Sequence, residues 1–366
     1  MLTLSDVTII GGGIIGLLTA RELVLAGASV TIIDKGQAGQ ESSWAGGGIL
    51  LPLYPWRQPE AISQLVMQSL LLYPPLIEDL HDNSGIDPEC IASGMFIAKN
   101  PDIQAALGWC ANNAIVEGVP PDELLASLAT ELLNPLWLPG IRQVRNPRLL
   151  QAAQAYLTRK GVRFVADCEL IDLQVQQGRV HSIVTTTGRS AVNAVILTTG
   201  AWSGHLWQRL FPLQADLHPL VQPVKGQMLL FDTKPGTLSA MVLDGAHYLI
   251  PRLDGKILVG STVEQCDFNK STDIETKVKL TEFAHNLFPT LQNCPVIKHW
   301  AGLRPGTERG IPYIARHPEL ENLSLNAGHF RNGLAMAPAS AQLLVDLLLK
   351  RAPKISIEPY QFHSQH

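Results

Sequence analysis

A chain of 366 residues, 46% hydrophobic and 16% charged, is long enough for two domains and a large buried core. Its net charge of −4 offers no basic surface to a nucleic acid. The five cysteines (Cys90, Cys110, Cys168, Cys266 and Cys294) show no C-x-x-C spacing and read as buried thiols of a reducing compartment, so neither a disulfide frame nor a metal site is expected.

The amino terminus, Met1 to Asp6, lacks the basic flank of a signal peptide, and glycines interrupt the apolar run after it. Val7 to Ile10 then read as a buried parallel strand, followed by Gly11, Gly13 and Gly16 in the pattern G-x-G-x-x-G. An amphipathic helix is expected from Ile14 to about Ala26, stopped by Gly27, and a second buried strand runs from Val30 to Asp34. Each position has a physical task. Gly11 permits the tight turn, Gly13 lets backbone approach a pyrophosphate, and Gly16 lets helix and strand pack closely. The helix N-terminus attracts phosphate charge, and Asp34 is placed to accept hydrogen bonds from a ribose hydroxyl. The unit as a whole predicts a dinucleotide site. The segment Glu41 to Leu50, with Ser42, Ser43 and the run Gly46-Gly47-Gly48, suits a loop around the pyrophosphate and the ring beyond it. No second G-x-G-x-x-G is present, which argues against a nicotinamide partner for the electrons.

From Leu51 to about Arg145, prolines punctuate short helical runs such as Ala61–Leu72, reading as an insertion. Asn146-Pro147 precedes a helix over Arg148–Lys160, closed by Gly161. Strands Val162–Val165, Leu170–Gln176, Arg179–Thr186 and Ala191–Leu197 return to the nucleotide-binding theme, the last entering Thr199-Gly200-Ala201-Trp202. A second insertion begins near Leu217, with strands over Gln222–Phe231, Met241–Leu243, His247–Pro251 and Lys256–Ser261 and a hairpin signal at Asp254-Gly255. A Gly/Pro-rich stretch follows Trp300, then a strand from Leu323 and a long helix. The apolar run Leu334 to Leu349 contains Pro338 and Asp346 and reads as shorter than a membrane span. The expected architecture is mixed α/β: a Rossmann-type FAD-binding domain (1–50, 146–216 and 300–366) interrupted by a substrate-binding domain (51–145 and 217–299) on a mostly antiparallel sheet. The ligand pocket is expected where the two meet.

Three segments of the second half carry candidate chemistry. Arg304 lies in Ala301-Gly-Leu-Arg-Pro-Gly-Thr307, Arg331 in Gly328-His-Phe-Arg-Asn-Gly333, and Tyr248 in His247-Tyr-Leu-Ile-Pro-Arg252. An arginine flanked by apolar residues commonly holds an anion bidentately, and a structural salt bridge is the rival reading at each site.

These segments, with the fingerprint at Gly11–Gly16, Ser42 to Gly48 and Gly200 to Ser203, resemble the FAD-dependent D-amino-acid oxidase family nearly end to end, and within it most closely the glycine oxidases of thiamine biosynthesis. The resemblance implies that Arg304 and Tyr248 hold a substrate carboxylate. It places Arg331 between substrate and flavin, and Ile49 beside both. Tyr248 stands one residue closer to His247 than the family pattern has it, which leaves His247 without an assigned role. The implied FAD contacts are Gly11, Gly13, Ile14, Ile15, Gly16, Asp34, Lys35, Ser42, Ser43, Gly47, Gly48, Ile49, Leu170, Gly200 and Trp202, and His329, Phe330, Arg331, Asn332, Gly333, Leu334 and Ala335 along the isoalloxazine edge. Read alone, Trp202 and Trp207 are core residues. No cysteine stands in 300–307 or 328–335, so FAD is expected to be noncovalent.

The activity so implied is oxidative deamination of glycine and small amines or D-amino acids. Hydride passes from Cα to flavin N5, oxygen takes the electrons as peroxide, and glyoxylate and ammonia are released. Orientation by the carboxylate clamp supplies much of the catalysis, and a deprotonated amine makes a general base unnecessary. The helix N-terminus near Gly333 is placed to stabilise charge on the reduced ring. The termini and the scattered cysteines read as those of a cytoplasmic protein, and the resemblance adds an enzyme multimeric as the family often is, with thiazole synthase as a candidate partner. Two rivals remain: a dehydrogenase of the same fold passing electrons from proline, sarcosine or another D-amino acid to a quinone, and, more distantly, a flavin module of RNA modification. His181, His205, His218 and His299 show no ligand spacing. The Tyr54–Trp56 loop either gates the pocket or simply packs.

Overall fold

The computed structural model describes residues 6–213 and 219–362. The expected start of the second insertion near Leu217, the domain boundary at 216 and His218 lie outside the described residues.

Strand Asp6–Ile10 forms the centre of a six-stranded sheet. It pairs in parallel with Ser29–Ile33 on one side and Ala194–Leu197 on the other. The sheet continues through Arg163–Val165 at one edge, and through Leu323–Ala327 to the antiparallel strand Tyr313–Arg316 at the other. Both faces are covered, which is why its strands are apolar without interruption. Val7, Ile9 and Ile196 face the helices, including Ile14–Leu25, Asn146–Arg159 and Gly333–Leu349. Ile10, Val195 and Leu197 face a separate antiparallel meander. That meander comprises Leu170–Gln176, Arg179–Thr185 and Gly188–Ala191, so the first two of these strands do not extend the nucleotide sheet as expected but cover it.

The second sheet is mostly antiparallel and draws on both insertions. Its path runs Glu264–Gln265, Val221–Phe231, Ile257–Gly260, His247–Pro251, Met241–Asp244, Met95–Ile97 and Leu136–Leu138. The turn at Asp254-Gly255 joins His247–Pro251 to Ile257–Gly260 as a hairpin. Helix Ile274–Leu287 backs this sheet through Leu280, Ala284 and Leu287. The Gly/Pro-rich stretch after Trp300 is extended and joins the second sheet. It belongs to the strand Val296–Thr307, which pairs along its length with Val221–Phe231. Pro305 faces Pro223 across this ladder, so two residues that cannot donate occupy the same rung.

Helix Glu60–Ser84 is twice as long as its expected stretch of Ala61–Leu72, running through Pro74 and Pro75. Both prolines are exposed, so water reaches the carbonyls they leave free, while Tyr73, Leu76 and Leu80 bury the other face. This helix packs on Asn146–Arg159 and Gly333–Leu349 and joins the core of the nucleotide domain, although it comes from the first insertion. Helix Gly333–Leu349 contains Pro338, which removes the donor that Leu334 C=O would otherwise meet. The Tyr73 hydroxyl supplies it instead at 2.6 Å, and Ser69 Oγ accepts Ala339 N–H at 3.1 Å. Extended by its first turn, Phe330–Leu349 reaches 20 residues and is long and apolar enough to cross a membrane, contrary to the shorter span expected from Leu334. Its apolar side is instead buried among the other helices as core.

Candidate functional site

A cavity of about 510 Å³ runs from the glycine turn after the first strand to the strands of the second sheet. At the nucleotide end, helix Ile14–Leu25 begins without a side-chain cap from its own N-cap residue and without acid in its first turn. A Cβ at Gly16 would collide with Gly11 C=O, so close packing of helix and turn requires glycine there. Thr198 donates from Oγ1 to Gly11 C=O at 2.7 Å and steadies the same turn. Asp34 accepts Gly12 N–H at 2.7 Å and Gly36 N–H at 2.9 Å, so it braces the loop as well as facing the cavity. Ser43 Oγ accepts Ile14 N–H at 3.0 Å and draws the Ser42–Ala45 turn against the helix start.

Lys35 lies with its Nζ 3.3 Å from the centroid of the Trp202 ring, and burial lowers its pKa. Phe268, from the second insertion, stacks on the other residue of that pair, Trp202, at 5.5 Å. Trp202 is thus half-buried and lines the cavity, unlike Trp207, which is wholly in the core. Ile14, Ile15, Gly47, Gly48, Leu170 and Gly200 line the cavity as well, whereas Gly16 lies beneath the turn and Ala335 inside its helix.

At the other end, strand register brings Arg304 opposite Val224, two residues from Gly226 on the same face. A Cβ on Gly226 would occupy the space of the Arg304 guanidinium, so that strand position must be bare for the arginine to lie flat across it. Arg304 Nη1 donates to Thr262 C=O at 3.0 Å and Nη2 to Ser261 Oγ at 2.8 Å. Among the described residues it forms no ion pair, and Glu264 is taken by Lys225 at 2.8 Å. Burial lowers the Arg304 pKa and the neighbouring Tyr248 hydroxyl counters this. A desolvated guanidinium with donors to spare, open to a cavity, is built to receive an anion. Tyr248 is buried, its hydroxyl 4.0 Å from Met228 Sδ. Arg331, in the turn Phe330–Asn332, lines the cavity beside Leu334 and Ile49 and forms no hydrogen bond or ion pair among the described residues.

His247 points elsewhere. Its ring packs on Phe283 at 4.9 Å, and burial keeps its imidazole less basic than an exposed one. His329 is buried and its pKa is pushed down to about 3 by desolvation, so it is neutral at working pH. Its Nε2 lies 2.7 Å from Ser340 Oγ, which donates to Asn326 Oδ1 at 2.8 Å. The Tyr54–Trp56 loop lines a neighbouring cavity of about 520 Å³, joined to the first through Leu53, Phe330, Arg331 and Asn332. Of the five cysteines, Cys110 and Cys168 are buried and the other three only half-buried, against the expectation of five buried thiols. Cys168 lines the nucleotide end.

Sequence reading passed over Asn146, Gly226, Ser261 and Phe268, all on the cavity wall. Only Asn146 carried a visible signal, as the residue before a helix-starting proline; its Nδ2 donates to Ser43 C=O at 2.7 Å.

The cavity suits FAD on three counts. Two helix N-termini whose own N-cap residues make no side-chain cap bond, at Ile14 and Gly333, open into one elongated space. Gly47 and Gly48 let bare backbone line the space, since Cβ atoms there would strike Ile250 and Val144 behind it, and neither helix carries acid in its first turn to repel phosphate or a reduced ring.

Comparison with known proteins agrees. The family model described as FAD dependent oxidoreductase matches residues 6–347. The chain is 41% identical over 360 residues to glycine oxidase of Pseudomonas putida, with 97% of each chain covered. It is 31% identical to the bifunctional protein ThiO/ThiG of Synechocystis sp., covering 99% of this chain but only 55% of that longer protein. The crystal structure of glycine oxidase from Geobacillus kaustophilus superimposes with a TM-score of 0.90 at 27% identity, covering 99% of this chain and 98% of that one. The chain therefore belongs to the FAD-dependent oxidoreductases of the D-amino-acid oxidase family.

Proposed function

We propose that this enzyme oxidises glycine and small amines or D-amino acids bearing a carboxylate, with oxygen as electron acceptor. The observation that carries the reading is Arg304: a desolvated, cavity-facing guanidinium without an ion-pair partner among the described residues. Its Nη groups are steered by Thr262 and Ser261, leaving the remaining N–H groups for a substrate carboxylate. Tyr248 adds a hydroxyl beside it, and Arg331 extends positive potential along the same wall. FAD, when bound, supplies the hydride acceptor. The carboxylates lining the cavity, Asp34, Glu41 and Glu169, all neighbour Lys35 at the nucleotide end. With His329 neutral and His247 turned away, no side chain at the substrate end acts as a base, so the substrate amine must arrive deprotonated.

Close identity to glycine oxidases and full-length coverage support glycine as substrate. The fused ThiO/ThiG relatives support a role in making the thiamine thiazole, with thiazole synthase as a separate partner here. A cytoplasmic site and the division into an FAD domain and a substrate domain, with Val296–Thr307 assigned to the latter, complete the reading.

The test is oxygen uptake and peroxide release with glycine, sarcosine, D-alanine and D-proline. Glycine should give peroxide, ammonia and glyoxylate. Because His329 is held neutral by burial and no carboxylate lines the substrate end, the rate should show a single rising limb with pH as the amine loses its proton. Flavin reduction by glycine without peroxide under air would move the assignment to a dehydrogenase, and preference for an L-amino acid would overturn it.

A further inference from the structure

Arg252 immediately follows the strand that carries Tyr248 and is 8% exposed. Among the described residues it has no ion-pair partner. The acids around it, Glu89 and Asp254, are bound by Arg145 at 3.2 and 2.9 Å. Arg252 instead donates to three neutral oxygens: Gln143 Oε1 at 2.7 Å, Val144 C=O at 2.9 Å and Gly47 C=O at 2.8 Å. Burial pushes its pKa down to about 10, which leaves it cationic at neutral pH. Neutral donors could tie these strands together at far lower desolvation cost, so the charge itself calls for an explanation.

The Gly47 peptide supplies one. In a trans peptide, C=O and the following N–H point in opposite directions. With Gly47 C=O held by Arg252, the Gly48 N–H points away from it. Gly48 is buried and lines the cavity, and its N–H meets no acceptor among the described residues. Buried backbone donors are rarely left unpaired. Gly48 is also fixed in place: its φ is +81°, its C=O accepts Val144 N–H at 2.9 Å, and a Cβ would strike Val144 C=O.

We propose that Arg252 is a positioning residue for the flavin: by holding Gly47 C=O it presents the Gly48 N–H to the bound ring as a donor, and its charge polarises that peptide in favour of the electron-rich reduced ring. The bond from a cation strengthens the dipole of the peptide it engages, and the donor at the far end gains accordingly. This rests on the FAD assignment, not on the choice of substrate.

The test uses Arg252→Met and Arg252→Lys holoenzymes, their flavin reduced by a chemical reductant against a reference dye, with no amino acid present. Arg252→Met should favour oxidised over reduced flavin about tenfold relative to the parent, a midpoint about 30 mV lower for a two-electron couple. Its absorption bands should shift, and kcat for glycine should fall with KM unchanged. Arg252→Lys, which keeps the charge but not the three-oxygen fork, should shift the potential less in the same direction. An unchanged potential and spectrum in Arg252→Met, whatever its melting temperature, would overturn the proposal. Should Arg252→Met not fold, Arg252→Lys at the parental potential would overturn it equally. Failure of glycine as substrate leaves this measurement intact, so the two readings fail separately.

Discussion

At the nucleotide end of the cavity, the wall is built around one local unit, the turn from Gly11 to Ile15 braced by Asp34 a single strand away, with Lys35, Ser42, Ser43 and Trp202 added around it. At the substrate end the contacts come from side chains scattered over the sequence: Tyr248 in a local hairpin, Arg304 on a strand whose partner is distant in the chain, and Arg331 in the turn before the last helix. The first end uses backbone dipoles and tolerates most side chains that leave the turn intact. The second depends on single charged groups, and there a point substitution removes the whole interaction. The ends should therefore fail differently, one through cofactor retention and the other through kinetics.

The largest effect is expected at Arg304. Removing one member of a desolvated charge pair costs about 3–5 kcal/mol. Arg304→Ala should therefore lower kcat/KM for glycine by about two to three orders of magnitude while FAD content stays normal. Arg304→Lys should not rescue it, because an ammonium cannot engage Ser261, Thr262 and a carboxylate together. Near-normal kinetics would move the carboxylate anchor to Arg331, the other cavity arginine without an ion pair.

Asp34→Ala reports on the other end. It removes charged acceptors from Gly12 and Gly36, each bond worth about 1.5–3 kcal/mol before water compensates. FAD affinity should fall by about tenfold or more, read as flavin lost on dialysis, while the fraction still loaded keeps its parental KM for glycine. Undiminished retention would show that the glycine turn holds itself without the carboxylate.

The same contrast sets how much could be read without coordinates. The strand–turn–helix–strand unit is local, and its glycines announce their tasks by spacing; the helix expected to Ala26 ends at Leu25. Arg304 was visible as an arginine in an apolar frame, but its secondary structure was not. Gly302, Pro305 and Gly306 carry no strand signal, yet they lie in a strand whose partner, Val221–Phe231, begins about eighty residues earlier. Only that register reveals why residue 226 is glycine. Pro74 and Pro75 misled for a related reason, since propensity counts the lost hydrogen bonds but not the solvent that replaces them on an exposed face. Arg252 carried no signal in the sequence at all, because its partners are backbone oxygens of segments distant in the chain.

The smallest effect sharpens the division of labour at the substrate end. Tyr248 is packed by its ring among core residues, and its hydroxyl neighbours the Met228 sulfur and the Arg304 guanidinium. Phenylalanine preserves that packing and removes one donor. A hydrogen bond to a charged acceptor that also keeps its arginine partner should contribute about 1 kcal/mol net, or about fivefold in equilibrium. Tyr248→Phe should thus raise KM for glycine about fivefold, leave kcat nearly unchanged and leave FAD bound, as steady-state kinetics across glycine concentrations will show. If the loss instead falls on kcat with KM constant, the hydroxyl acts on the reacting geometry beyond the carboxylate, and Arg304 is not the sole anchor that orients Cα.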